Sequence, residues 1–237
     1  MSKRVLVYSL VLVALSAFPC FGGLLISEVL FNEVSSDVTG EWIEIFNNGS
    51  APIDLSNYKI GDEETMGGTT TTEAMQQFPA GASIAPHEVQ IVSVSATKFL
   101  SLYGFLPNYE ATATDATVPD LLPYPTWDPD GGAFNMANGG DQALILGPMD
   151  EHVDAVSWGS SAFAFNPPLG TALDGQSYER INPFVDTDTA TDWRAVADSS
   201  VPAVERSTPG TVPVPEPAGV VIALIAICAS TFTRNRS

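Results

Sequence analysis

EWIEIFNNGSAPIDLSNYKIGD, residues 41–62, is the stretch whose reading decides the fold class. Its first half alternates: Ile43 and Ile45 share one face of an extended segment, and Trp42, Glu44 and Phe46 share the other. Side chains on a strand point to opposite faces in turn, so this period of two marks a strand with apolar groups on both sides. Asn47-Asn48-Gly49-Ser50 then turns the chain, because Asn and Gly accept a positive φ at little cost. Asp54 and Ser56 are turn formers in their own right, and Tyr58 and Ile60 point one way in the short extended piece that follows.

The same texture runs outward in both directions. Upstream, LLISEVLF (24–31) reads as a strand buried largely on both sides, with Leu25, Val29 and Phe31 on one face and Ile26, Glu28 and Leu30 on the other. Downstream, GDEETMGGTTTTEAM (61–75) is a polar Gly/Thr loop. SIAPHEVQIVSVS (83–95) then resumes β structure, with Val89 and Ile91 facing one way and Val92 and Val94 the other. SATKFLSLYG (95–104) predicts a short helix, capped by Ser95 or Thr97 and stopped by Gly104. Residues 108–140, rich in Pro, Asp, Thr and Gly, read as a long surface excursion. DQALILG and EHVDAVSW (141–147 and 151–158) form a hairpin-like pair across Pro148-Met149-Asp150, and QSYERI (176–181) supplies one more short strand.

Short strands broken by turns, with no long helical period before the C-terminal segment, predict an all-β sandwich. Its expected core includes Val29, Phe31, Ile43, Ile45, Val89, Ile91, Ile145 and Val156. Laid in order, ISEVLFN (26–32), the segment 41–62, IAPHEVQIV (84–92), GGDQALIL (139–146), HVDAVSWG (152–159), SYERI, DWRA and STPG resemble the lamin-tail domain. The resemblance spans about residues 24–210 and implies an immunoglobulin-like β-sandwich, from which the 108–140 insertion departs.

The two ends speak of address. Lys3 and Arg4 precede an apolar run from Val5 to Phe18 and then PCFGG, the three-part layout of a secretory signal peptide over residues 1–22, cleaved after Gly22. A lipoprotein reading of Cys20 competes, against Pro19 just before it. At the other end, residues 211–237 hold Val214-Pro215-Glu216-Pro217, an uncharged stretch from Ala218 to Phe232, and Arg234 and Arg236. That stretch reaches only about 22 Å as a helix, short of the roughly 30 Å hydrocarbon core. It would span with snorkelling arginines, or serve as a signal held briefly in the bilayer and then removed. Arginines retained inside agree with the positive-inside rule and leave the bulk of the chain outside. The tail resembles the PEP-CTERM sorting signal of bacteria, which implies processing by an exosortase-like enzyme and association with exopolysaccharide or other surface proteins.

Between these ends lies one domain, about 23–210. The whole chain has 28 acidic and nine basic residues and a formal net charge of −19. Such a field repels nucleic-acid phosphates, and no basic cluster offsets it; it favours solubility and cation binding. Both cysteines, Cys20 and Cys228, fall in the terminal apolar segments, so the domain must stand on its core without a disulfide.

Catalytic chemistry has little to draw on. The two histidines, His87 and His152, sit in a turn and at a strand start; there is no Gly-x-Ser-x-Gly elbow and no phosphate-binding Gly loop. A carboxylate pair would suffice for glycoside hydrolysis, but among 28 acids some pair meets the spacing by chance. Asp186, Asp188 and Asp192, or Asp128 and Asp130, gather hard oxygen ligands of the kind Ca²⁺ takes, although neither group matches an EF-hand loop. Tyr124, Trp127 and Phe134 offer flat rings that either stack on sugars or pack the insertion onto the sandwich. The reading that follows is an exported surface- or matrix-associated module that binds or scaffolds without catalysis, with a secreted hydrolase of extracellular polymer as the alternative.

Overall fold

The computed structural model describes residues 23–34, 38–68, 72–196 and 206–213. The described residues form thirteen strands and one α-helix. The strands are β1 (Leu24–Leu30), β2 (Trp42–Asn47), β3 (Ile53–Asp54), β4 (Lys59–Gly61), β5 (Met75–Gln77), β6 (Ser83–Ile84), β7 (Val89–Ser95), β8 (Tyr109–Thr112), β9 (Leu122–Pro123), β10 (Gly140–Leu146), β11 (His152–Gly159), β12 (Tyr178–Arg180) and β13 (Trp193–Ala195). Helix α1 (Ala96–Tyr103) follows β7 directly. A six-stranded sheet in the order β13-β12-β1-β2-β7-β8 faces a five-stranded sheet in the order β11-β10-β4-β5-β9, and β3 pairs with β6 alongside. The all-β class and the immunoglobulin-like sandwich expected from the sequence are what the chain adopts.

The core is where facing strands exclude water. Ile43 and Ile45 enter it from β2, as their alternation requires, and meet Ile60, Ile145, Val156 and Trp158 of the opposite sheet. The Phe31 and Trp158 rings stack across the layers at 4.0 Å between centroids.

Two strands depart from simple alternation. In β1 the register against β2 shifts between Ile26 and Glu28, a bulge that advances the phase by one residue. Leu24 and Ile26 therefore share the core face with Val29 and Phe31, and Leu25 does not, contrary to a strict period of two. In β7 it is Val92 and Val94 that face the main core. Ile91 instead joins Leu30, Trp42 and Phe99 beneath α1, and Val89 is only half-buried. Both faces of β7 are apolar, so the sequence left open which one the opposing sheet would claim.

Helix α1 has the ends its sequence dictates. The Ser95 side chain accepts from the Lys98 amide, and Gly104 closes the last turn at φ 79°, a left-handed geometry that glycine adopts without a Cβ penalty. The 108–140 segment, by contrast, is more than a surface excursion. It adds β8 in parallel to β7 and β9 to the edge of β5, and it sends Tyr109, Leu121, Phe134 and Met136 into the core. A Pro- and Asp-rich composition concealed these single apolar residues, because they follow no period.

One ion pair ties the sheets together. Arg180 of β12 and Asp154 of β11 are buried, with Arg180 Nη2 2.8 Å from both Asp154 oxygens. Asp154 Oδ2 also accepts from the Ile26 amide at 2.7 Å, while Arg180 Nε donates to the Ile26 carbonyl at 2.8 Å. The β1–β12 register covers Glu28 and Val29, and these side chains serve the backbone at Ile26 beyond it. Burial pushes Asp154 up to about 6 against the pull of Arg180, so the pair is ionised at neutral pH. Burial opposes the Arg180 charge too, but Asp154 and Asp186 outweigh it and raise its pKa.

Removing one partner leaves a buried charge alone. Arg180→Ala should cost about 3–5 kcal/mol, whereas the double replacement Arg180→Met with Asp154→Leu should recover much of that loss. Urea unfolding followed by tryptophan fluorescence checks both.

Candidate functional site

Acidic side chains, which composition alone would place on the surface, are built into this fold, and at two places groups of them fasten distant segments of the chain. The first is the outer face of the six-stranded sheet, where Glu179 of β12, Glu28 of β1 and Glu44 of β2 stand side by side on paired strands. Residues 206–213 lie across them as a strap. Arg206 runs parallel to Gln176, Ser207 meets the Tyr103 hydroxyl, and Thr208 donates its amide and hydroxyl to the two Glu28 oxygens at 2.8 Å each. The Gly210 amide donates to Glu44 at 2.7 Å. Ser177 and Ser27 add hydroxyl donors to Glu28 and Glu44, and Arg194 holds Glu179 at 2.8 Å.

Burial pushes the Glu28 carboxyl up to about 7, against the donors from Ser177 and Thr208 and with a smaller push from Glu179. Burial, then the charge of Glu28, raises Glu44 well above the usual carboxylate range. The sequence held the signal for this pair: each acid sits in an apolar strand on a face whose neighbours are Leu or Trp, which requires a covered outer face. It held no signal for what would cover it.

The second place is one end of the sandwich, where three carboxylates grip three consecutive amides of the insertion. Asp62 accepts from the Asn135 amide at 2.8 Å, Glu41 from Met136 at 2.9 Å and Asp141 from Ala137 at 2.6 Å. Asp62 also accepts from the Ala74 amide, which closes the neck of the 62–74 loop. Burial, opposed by the Met136 amide and reinforced by Asp62, Asp141 and Glu33, pushes Glu41 up to about 9. Burial likewise brings Asp141 to about 6. A cavity of about 140 Å³ opens beside them, lined by Phe31, Glu33, Glu41 and Met136 among others. It is small beside the roughly 300–1,000 Å³ of common ligand pockets.

The residues singled out from sequence fall as follows. Asp186 and Asp192 come together, but around a cation the chain already supplies: Arg180 Nη1 lies 3.0 Å from Asp186 and 3.8 Å from Asp192. Asp188 is exposed at φ 52°, its amide donating to Asp186. Asp128 is buried and accepts from the Asp130 and Gly131 amides, whereas Asp130 is exposed.

The three aromatic residues of the insertion do not form a stacking surface. Phe134 is in the core, Trp127 is buried with its Nε1 donating to the Glu63 carbonyl, and the half-buried Tyr124 packs against Lys59 and donates to Asp150. His87 packs near Phe46 and Phe184, and His152 near Trp127 and Phe163, on separate parts of the surface. The signal peptide and the sorting residues Val214, Pro215, Glu216, Pro217, Arg234 and Arg236 lie outside the described residues.

With this geometry in hand, relatedness can be read. Residues 21–160 match the Lamin Tail Domain family, more than half of the chain. The chain belongs to the lamin tail domain family. The fold is also similar to the crystal structure of a DUF4876 family protein from Bacteroides thetaiotaomicron VPI-5482, with a TM-score of 0.51 and 14% identity over 83% of this chain and 73% of that one. No curated protein matches significantly in sequence. In this lamin tail domain the strap and the insertion grip both use residues beyond the compact strand pattern: Thr208 and Gly210 lie past the matched region, and 135–137 belong to the insertion.

The buried acids set a pH dependence of definite sign. Glu28 binds its proton more tightly in the folded chain than in the unfolded one, where a glutamate titrates near 4.5. The stability linked to that proton is complete below about pH 4.5 and is withdrawn as pH rises through about 7. Glu41 adds the same sign up to about 9. Melting temperature should therefore fall between about pH 4.5 and 9, and Glu28→Gln should flatten the part of that decline below about pH 7. Calorimetry across the range is the measurement.

Proposed function

We propose that this lamin tail domain is an exported binding or scaffolding module of the cell surface or extracellular matrix, held at the membrane by its C-terminal segment and processed by an exosortase-like enzyme. The observation that supports it is the strap. Residues 206–213 are fastened by Glu28 and Glu44 to the rigid six-stranded sheet, so the chain arrives at the Val214-Pro215-Glu216-Pro217 segment from a fixed point on the domain. A sorting enzyme needs its recognition segment presented beyond the folded body, and a clasped strap supplies that boundary. The partner class is an exosortase-like enzyme, with exopolysaccharide or other surface proteins as what the module meets after export.

A secreted hydrolase remains the alternative, and the Glu33–Glu41 cavity is the feature that favours it. Two buried carboxylates, Glu33 and Glu41, line one cavity, and a pair of carboxyl groups is what acid–base chemistry on a polymer would use. Against this, Glu41 already accepts the Met136 amide, and the cavity is small for a sugar ring and its neighbours. Cleavage of the host's exopolysaccharide that Glu41→Gln abolishes without lowering the melting temperature would replace the module by the enzyme.

Intact mass of the protein from membrane and medium fractions of an exosortase-competent host tests the leading reading. The released form should lack Arg234 and Arg236, Glu216→Ala should accumulate a full-length membrane species, and replacing both arginines by acids should weaken retention. A mature protein that keeps Arg236 and Ser237 would make the tail a plain anchor.

A further inference from the structure

The loop between β4 and β5 carries a cluster that none of the preceding functions uses. Glu63 and Glu64 leave β4 just after Gly61, and Glu73 returns to β5 just before Met75. Among the described residues these three each present a carboxylate oxygen within 4.8 Å of the other two. That limit is the largest separation two oxygens can have if both bind one ion at about 2.4 Å, a typical Ca²⁺–oxygen distance.

A second observation is independent of the clustering. Glu63 is only 2% exposed, yet its Oε2 accepts no hydrogen bond; its Oε1 takes the Thr65 amide at 2.9 Å. The buried carboxylates of Glu28, Glu44 and Asp62 are met by amides or hydroxyls, whereas Glu63 shares its lack of a donor with Asp128 and with the neutral amide oxygens of Gln76 and Gln90. A buried carboxylate oxygen without a donor is costly unless something positive meets it. Asp128 deepens the deficit: it is 1% exposed, its Oδ2 is likewise without a donor, and its charge together with that of Glu64 acts on Glu63.

The surrounding chain is shaped to keep that carboxylate in place. A Cβ at Gly68 would fall 2.0 Å from Glu63 Oε2, so any larger residue there would displace the Glu63 carboxylate from its present position. The Gly67 amide donates to the Trp127 carbonyl and Trp127 Nε1 donates to the Glu63 carbonyl, which fixes the loop against the segment bearing Asp128. Glu64 is oriented by Gln142 Nε2, a neutral donor at 2.9 Å. The neck of the loop is closed by Asp62 on the Ala74 amide, so both ends of the loop are positioned before any ion arrives.

From this arrangement we propose that Glu63, Glu64 and Glu73 form a Ca²⁺ site that staples the two ends of the β4–β5 loop. Hard carboxylate oxygens at this spacing suit Ca²⁺, with water completing its six to eight ligands. This is a different place from the aspartates around Arg180, which already hold a cation of the chain's own. A surface loop of modest charge density places the dissociation constant at about 10⁻⁴–10⁻³ M, as in extracellular calcium modules.

Trp127 makes the site readable. Its indole is hydrogen-bonded to Glu63, close enough to sensitise the luminescence of Tb³⁺, which takes Ca²⁺ positions. The full chain is titrated with Tb³⁺ under tryptophan excitation, then with Ca²⁺ as competitor, and its melting temperature is followed with Ca²⁺ alone. Saturable emission displaced by millimolar Ca²⁺ is expected, together with a rise in melting temperature. The double variant Glu63→Gln, Glu73→Gln should weaken Ca²⁺ about tenfold or more, while Asp186→Asn with Asp188→Asn should leave the affinity unchanged. Because Gln keeps the shape of Glu, a circular dichroism spectrum like that of the parent separates lost binding from lost fold. Absence of saturable emission, a double variant that binds like the parent, or a loss confined to the aspartate variant would each overturn the proposal.

Discussion

The contact of Arg180 with Asp154 and the Ile26 backbone is the joint on which the sandwich turns. It joins β12 of one sheet to β11 of the other and satisfies the amide and carbonyl of β1 at Ile26, just before the bulge. Apolar packing between the sheets is non-directional and would tolerate sliding. A guanidinium held by two carboxylate oxygens and a carbonyl does not, because any displacement exposes unpaired charge in a dry interior. The Arg180 side chain also lies against the Trp193 ring at 4.7 Å and draws in Asp186 and Asp192, so β13 and the 186–192 loop are oriented by the same residue.

The strong acidity of the chain is handled by the same economy of backbone amides. With few basic residues to pair with, Glu28, Glu44, Glu41, Asp62 and Asp141 take donors from main chain and hydroxyls instead. Each carboxylate thereby organises a segment that has little secondary structure of its own: the strap 206–213, the insertion at 135–137, or the neck of the 62–74 loop. Because hydrogen bonds only partly offset burial, these acids hold protons far above the usual carboxylate range. Structure and proton affinity are two views of one arrangement.

Where such donors are missing, the arrangement is incomplete. The Glu63 oxygen in the β4–β5 loop, where three glutamates converge, and the Asp128 oxygen in the insertion are buried without them. The contrast with Asp186 and Asp192 is instructive, since there the positive charge is Arg180, reached across a turn from the same chain. Sequence spacing singled out the aspartates and left the glutamates inside a polar Gly/Thr loop, because Glu73 stands far from Glu63 along the chain and only the folded loop brings them together.

What the sequence by itself determined is the local geometry. Alternation in EWIEIF placed Ile43 and Ile45 in the core, Ser95 and Gly104 bounded the helix, and the hairpin of β10 and β11 followed from its own apolar pattern; each rests on forces acting within a few residues. What only the tertiary structure decided is everything that depends on a partner distant in the chain. The bulge in β1 moved Leu24 and Ile26 onto the core face, the opposing sheet chose Val92 and Val94 over Val89 and Ile91, and Phe134 and Met136 came inside from a segment with no period. Glu28 and Glu44 became interior groups because Thr208 and Gly210 return some 170 residues later, and no local pattern encodes which distant amide will arrive to meet a carboxylate.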